Sequence, residues 1–236
     1  MYQRPQPLGP LSGLLSLHGN HMKAIKTLSA TRPSLSTLFA FCALGAVLWV
    51  PQAHAQSADA DAARAKKLAG GSCFLCHGEQ GESTSEVFPR LAGQHAEYVA
   101  KQLEAFKSGQ RKSTTMSEMV AKLTPEDMQA LGRYYEKMPV SKHEVKDREL
   151  ASVGEYLYKN GNRFSGVPAC ASCHGPNAEG AANLPRLASQ LSGYIHNQLK
   201  LFNKRERTND NAVMHAVADK MTELEMAAVA EYLSSR

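Results

Sequence analysis

Two pentapeptides constrain this chain more than anything else in it: Cys73-Phe74-Leu75-Cys76-His77 and Cys170-Ala171-Ser172-Cys173-His174, 97 residues apart. Both are Cys-x-x-Cys-His frames. Thiols three residues apart on a helical turn can each add to one vinyl group of a single haem, and the histidine that follows is then placed to ligate its iron. The frames predict two covalently bound haems c, attached at Cys73, Cys76, Cys170 and Cys173, with His77 and His174 as iron ligands. Other uses of paired cysteines fit less well. A thioredoxin-like dithiol needs a surrounding βαβ pattern, which this sequence lacks. A four-cysteine zinc site would have to gather pairs 94 residues apart and would leave both histidines unexplained. Disulfides across so short a spacing would staple almost no chain.

The frames sit in a longer internal repeat. Residues 88–106 (FPRLAGQHAEYVAKQLEAF) and 184–202 (LPRLASQLSGYIHNQLKLF) are identical at nine of nineteen positions at an offset of 96. Leu123-Thr124-Pro125-Glu126 aligns with Met221-Thr222-Glu223-Leu224 at an offset of 98. The chain from residue 56 onward therefore reads as two homologous units, 56–140 and 141–236. Their seam lies in the polar stretch 139–146 (PVSKHEVK), after a helix-ending proline. Each unit predicts a helix before its frame (59–69 and 147–159), a second after the Pro-Arg-Leu-Ala segment (94–107 and 190–203), and a third beginning at Thr124 or Thr222. Apolar and aromatic positions Tyr98, Leu103, Phe106 and Tyr194, Leu199, Phe202 fit one helical face. Thr124 with Asp127, and Thr222 with Glu225, read as capping-box starts. No strand pattern appears, so the expected class is all-α. Units this small bury a thin core, and a haem bonded at three points would supply the missing apolar mass.

A histidine-ligated haem either takes a sixth ligand from the protein or stays open. The repeat nominates Met116 and Met214, each seven residues before the aligned Leu123 and Met221 and each after a polar loop (111–115 and 207–213). A thioether favours ferrous iron and raises the potential. Met119, Met128, Met138, Met221 and Met226 read as core residues. His215, beside Met214, offers a bis-histidine alternative, but its partner position holds Ser117. His95, His143 and His196 have no histidine at the matching position and read as surface or interface residues.

Charge adds an exclusion. The chain carries 27 Lys+Arg against 22 Asp+Glu, but residues 1–55 hold four basic side chains and no acidic one. The excess nearly vanishes beyond residue 55, so a nucleic-acid partner, which needs clustered Lys and Arg, is not expected. Lys23, Lys26 and Arg32 precede the uncharged run 35–50, and Ala53-His54-Ala55 follows. That is the order of a secretory signal, and the run is shorter than the roughly 20 apolar residues of a membrane span. Residues 1–55 are therefore expected to be an export signal, opening at Met22 and removed on export, with retention as an anchor as the alternative. Removal would take away Cys42, leaving four cysteines, all committed to the frames.

Taken together, these residues resemble dihaem cytochromes c of the cytochrome c4 type, in which two class I cytochrome c domains stand in tandem. The resemblance covers residues 56–236 and rests on the two frames with Pro89, Met116 and Tyr134 and with Pro185, Met214 and Tyr232. It implies that the carbonyls of Pro89 and Pro185 orient the haem-ligating histidines. It also implies that Tyr134 and Tyr232 pack on the first helix of their unit, crossing a small residue: Gly154 in the second unit, Ala62 or Ala63 in the first. Arg90 and Arg186 would pair with haem propionates or stand in solvent. The function implied is periplasmic electron transfer, commonly from a bc1-type donor to a terminal oxidase, with peripheral membrane association left open. A soluble carrier, rather than an enzyme, is the leading expectation. The rival is the cytochrome subunit of a sulfide- or thiosulfate-oxidising dehydrogenase. Catalysis at iron would need an open site or a thiolate ligand, and no cysteine is left to provide one.

Overall fold

The structure, a computed structural model, describes residues 53–141 and 143–236. The signal expected over residues 1–55 and the start at Met22 fall almost wholly outside the described residues. α1 (Ala53–Leu68) runs into a π-helical turn, Ala69–Cys73, and then into α2 (Phe74–His77), which carries the first frame. The wide turn falls on Ala-Gly-Gly-Ser-Cys, where small side chains let the backbone open. α3 (Ala96–Lys107), α4 (Thr114–Val120) and α5 (Pro125–Glu136) complete a first lobe. The second repeats the order with α6 (Arg148–Asn160), α7 (Ala171–His174), α8 (Ser192–Asn203), α9 (Val213–Ala218) and α10 (Glu223–Ser234). Among the described residues, β structure is limited to the isolated bridges Asn162↔Val167 and Ala181↔Leu184. None of the described helices is long and apolar enough to cross a membrane.

Local chemistry sets the helix starts. Thr124 and Thr222 each accept from the third residue of their helix, while Asp127 and Glu225 reach back to the threonine N–H. Each capping box satisfies two backbone donors that a helix end would otherwise orphan. Asp147 caps α6 through Leu150 N–H, and Ser113 caps α4 through the N–H of Met116. Both second helices begin two residues later than the pattern predicted, because Gln94 and Gln190 are taken up by contacts between the lobes.

In the second lobe α10 crosses α6 at Gly154, where a Cβ would strike the Ala228 carbonyl, and Tyr232 packs beside that crossing. The first lobe corrects the expectation. Ala62 and Ala63 are exposed; Ala65 and Ala69, four apart on one helical face, are the buried alanines of this stretch. α1 packs on α5 through them, and the glycine at a tight crossing is Gly132, set against the Ala96 carbonyl of α3. Tyr134 is half-buried, whereas its neighbour Tyr135 is 2% exposed. Met119 is also corrected: it is 48% exposed, on the wall of a cavity that Met116 and Val120 also line, rather than in the core.

Candidate functional site

α2 and α7 present the two frames to one cavity of about 1180 Å³, partly open to solvent. Its walls include Cys73, Cys76, His77, Pro89 and Met116 from the first lobe and Cys170, Cys173, His174, Pro185 and Met214 from the second. Phe106, Leu131, Ile195, Leu199 and Phe202 line it from the helices behind. A single small-molecule pocket occupies roughly 300–1,000 Å³, so this space exceeds what one small ligand needs.

The two imidazoles are held alike. His77 Nδ1 lies 2.8 Å from the Pro89 carbonyl oxygen, and His174 Nδ1 lies 3.4 Å from that of Pro185. A carbonyl only accepts, so Nδ1 carries the proton and Nε2 keeps its lone pair. Burial pushes both histidines below their ordinary range, against the opposing pull of these carbonyls, and keeps the rings neutral. Gly78 and Gly175, at φ 83° and 81°, end the frame helices and turn the chain away from each histidine.

The thiols are unpaired. Burial pushes Cys73 up and Cys170 up to about 11, the opposite of the lowered pKa that an exchanging dithiol needs. Among the described residues no group of three or more His, Cys, Asp or Glu side chains gathers for a metal ion, so the four cysteines form no zinc cage. Met116 and Met214 stand near the start of α4 and α9, both on the cavity wall; His215 is not on that wall and sets its Nδ1 2.9 Å from the Phe202 carbonyl.

Arg90 and Arg186 take different places. The Arg90 guanidinium donates to the carbonyls of Ser83, Ser141 and Ser189 and meets His143 Nδ1, so all three of its nitrogens are engaged by protein rather than standing in solvent. Arg186 is half-buried, and its Nε has no partner.

The contacts across the seam join residues far apart in the chain. Many of the contacts between the lobes come in reciprocal pairs, beside one-way ones: His95 Nε2 meets the Glu179 carbonyl and Gly193 N–H donates to Glu86. Gln190 accepts from Arg90 N–H and donates to the Arg90 carbonyl; Gln94 does the same with Arg186. Arg111 Nη2 donates to Tyr194 Oη at 2.8 Å, and Arg207 Nη2 donates to Tyr98 Oη at 3.0 Å. Both guanidiniums also share the same two acceptors, Gln102 Oε1 and Gln198 Oε1, at 2.8–3.1 Å. Each arginine further stacks over a phenylalanine of its own lobe, Phe106 or Phe202. Residue i of one lobe meets j of the other, and j meets i, the pattern of a two-fold interface. Burial pushes the Tyr98 phenol up, but Arg207 and Arg111 outweigh it and leave it below its ordinary range. The signal that could have exposed this network is the repeat itself, since Gln94, Tyr98, Gln102 and Arg111 all recur at an offset of 96.

A haem is an apolar disc with two carboxylates at one edge. A cavity walled by apolar side chains, with thiols and Nε2 lone pairs available and guanidiniums at the seam, fits two such groups. Comparison with known proteins agrees. The family model described as cytochrome c matches residues 62–161 and 158–236. A cytochrome c4 of Thiocapsa roseopersicina is 43% identical over 183 residues, covering 75% of this chain and 93% of that protein. A thiosulfate dehydrogenase electron acceptor of Thiomonas intermedia is 35% identical over 204 residues, covering 84% of this chain and 90% of that protein. The crystal structure of reduced recombinant cytochrome c4 from Pseudomonas stutzeri superposes with a TM-score of 0.69 at 32% identity, covering 75% of this chain and 97% of that one.

Proposed function

The chain belongs to the cytochrome c family, as a two-domain protein of the cytochrome c4 type with two covalently bound haems c, and from that premise we propose that it is a periplasmic carrier passing single electrons between respiratory redox proteins. In this reading Cys73 and Cys76 hold one haem and Cys170 and Cys173 the other. His77 with Met116 would hold the iron of the first, and His174 with Met214 that of the second. Bound haem supplies a one-electron ferric/ferrous couple.

The protein's own part is positional and electrostatic. The Pro89 and Pro185 carbonyls fix the tautomer and the plane of each imidazole, which raises the basicity of Nε2. Apolar walls exclude water and limit the charge reorganisation that accompanies electron transfer. Met116 and Met214 would each offer a thioether to the iron, leaving it no open position for substrate chemistry. The observation that carries the reading is that both frames, both proline-anchored histidines and both methionines line one cavity. That favours two closed redox sites in mutual reach over one catalytic centre.

The donor is proposed to be a bc1-type complex and the acceptor a terminal oxidase. A second reading has a specific support: the 35% identical relative from Thiomonas intermedia is described as a thiosulfate dehydrogenase electron acceptor. There this chain would take electrons from a periplasmic dehydrogenase, as its subunit or its partner. Stopped-flow mixing of the reduced protein with the candidate oxidase, and of the oxidised protein with thiosulfate dehydrogenase plus thiosulfate, separates the two. Rapid oxidation by the first supports the main reading, and rapid reduction by the second supports the alternative. Fast carbon monoxide binding by the reduced protein would overturn closed coordination.

A further inference from the structure

The arginine pair at the seam is an expensive construction. Arg111 and Arg207 are 9% and 7% exposed, and they share two amide acceptors, so two like charges are held together out of water. Among the described residues neither is ion-paired with a carboxylate. Asp210 acts on Arg207 only at longer range and is occupied by the backbone N–H groups of Ala212 and His215. Buried charges persist where an opposite charge faces them. Binding the lobes together would need only neutral hydrogen bonds, which Gln94 and Gln190 already make. Both guanidiniums line the cavity that the two frames share.

Building on the haem reading above, we propose that Arg111 and Arg207 form one shared counter-charge for the carboxylates of both haems, a positioning pair that raises the reduction potential of each. A nearby cation disfavours ferric iron, which is one charge more positive than ferrous. Each arginine belongs to one lobe yet is anchored to tyrosine and glutamine of the other, so the pair acts on both sites together.

Gln102→Glu tests this with almost no change of shape. The acceptor oxygen between the guanidiniums stays, and a negative charge is added there. Spectroelectrochemical titration of the full holoprotein should show both haems shifting to lower potential, each by roughly fivefold or more in ferrous-to-ferric ratio at fixed poise. Arg111→Gln should do the same, while Arg111→Lys, which keeps the charge, should largely restore both values. Tyr98→Phe removes a hydrogen bond without removing charge, so it should lower thermal stability and leave both potentials in place. The proposal is overturned if neither potential moves in Gln102→Glu and Arg111→Gln, or if only the haem of the substituted lobe responds. It is equally overturned if Tyr98→Phe moves the potentials as far as Arg111→Gln does, because the network would then act through structure alone. Unaltered protein without two low-spin c-type haems would sink the haem reading itself. Unmoved potentials in a two-haem protein sink only this inference.

Discussion

The two lobes share their sites and their seam but not the means by which their scaffolds are held. In the first lobe, α1 is tied to α5 by ion pairs: Arg64 with Asp127, and Arg133 with Asp61 at 2.8 Å. In the second, Glu231, at the position matching Arg133, is buried and accepts the N–H groups of Lys146 and Asp147 at 2.6 and 3.1 Å. Asn162 takes the place of Arg64 as partner to the capping carboxylate, donating to Glu225 at 2.7 Å. The tyrosine buried next to the first cysteine of the frame comes from the last helix in one lobe (Tyr135) and from the first helix in the other (Tyr158). The second lobe also gathers a broader apolar core around Leu157, Ile195, Phe202, Met226, Val229 and Leu233. Duplication has thus kept the frames, the prolines, the methionines and the reciprocal Gln, Tyr and Arg contacts, while the backing of each lobe has diverged. Packing tolerates many solutions of similar volume; ligand spacing and reciprocal contacts do not.

The largest test of that contrast acts where the lobes should not differ. Met116→Ala and Met214→Ala should each open one site, admit carbon monoxide and lower that haem's potential. The expected shift is at least about a hundredfold in ferrous-to-ferric ratio, roughly 120 mV for a one-electron couple. Spectra that remain six-coordinate in either variant would show that another residue supplies the ligand.

Next in size are the helix crossings, where the lobes should part company. Gly154→Ala drives a methyl into the Ala228 carbonyl and should cost about 1–3 kcal/mol through overpacking. Ala65→Gly, on the buried face of α1, makes no clash and should cost about 1 kcal/mol from helix propensity plus under about 1 kcal/mol for the lost methyl. Hydrogen exchange resolved by lobe measures both, and equal losses would refute the difference drawn between the crossings.

Glu231→Leu against Arg133→Gln compares the same position in two environments. The buried carboxylate holds two backbone donors, so its loss should cost about 1–3 kcal/mol. The exposed pair should be worth about 0.2–1 kcal/mol and should fade with added salt. Denaturant titrations at low and high salt would distinguish them.

The smallest effect is acid sensitivity. The Arg64 guanidinium beside Asp127, helped by Thr124 and opposed by burial, holds its carboxyl down to about 2. A lowered folded-state pKa contributes stability above the unfolded value, near 3.9, and loses it as pH falls toward 2. Unfolding midpoints measured from pH 7 to 2 should therefore drop for the first lobe in that window. In Asp127→Asn this part of the drop should vanish. Glu225 is opposed by burial but held below its ordinary range by Asn162 and Thr222, so the second lobe should lose stability on acidification in the same direction.

Much of this was readable in one dimension. Cys-x-x-Cys-His carries its own geometry because its members lie within one helical turn, and the threonine capping boxes are equally local. Repeat alignment also brought out Met116 and Met214. Reading failed where burial depends on a partner far along the chain. Tyr98 and Tyr194 looked like apolar-face residues, yet their hydroxyls accept from Arg207 and Arg111. Ala62 and Ala63 were two equivalent candidates until the direction of α1 over α5 selected Ala65 and Ala69 instead. Arg90 read as either paired with a haem carboxylate or standing in solvent, yet its Nη1 meets carbonyls brought in from the linker and the other lobe.

A duplicated all-α protein with two haem-attachment frames follows from spacings of a few residues and from repetition alone. How the copies face each other, and with it the burial of Arg111 and Arg207 between both sites, emerges from folding in three dimensions. Those contacts join residues 83 to 109 positions apart. No local periodicity encodes such a pairing; it exists only once two folded lobes present complementary faces and close out the water between them.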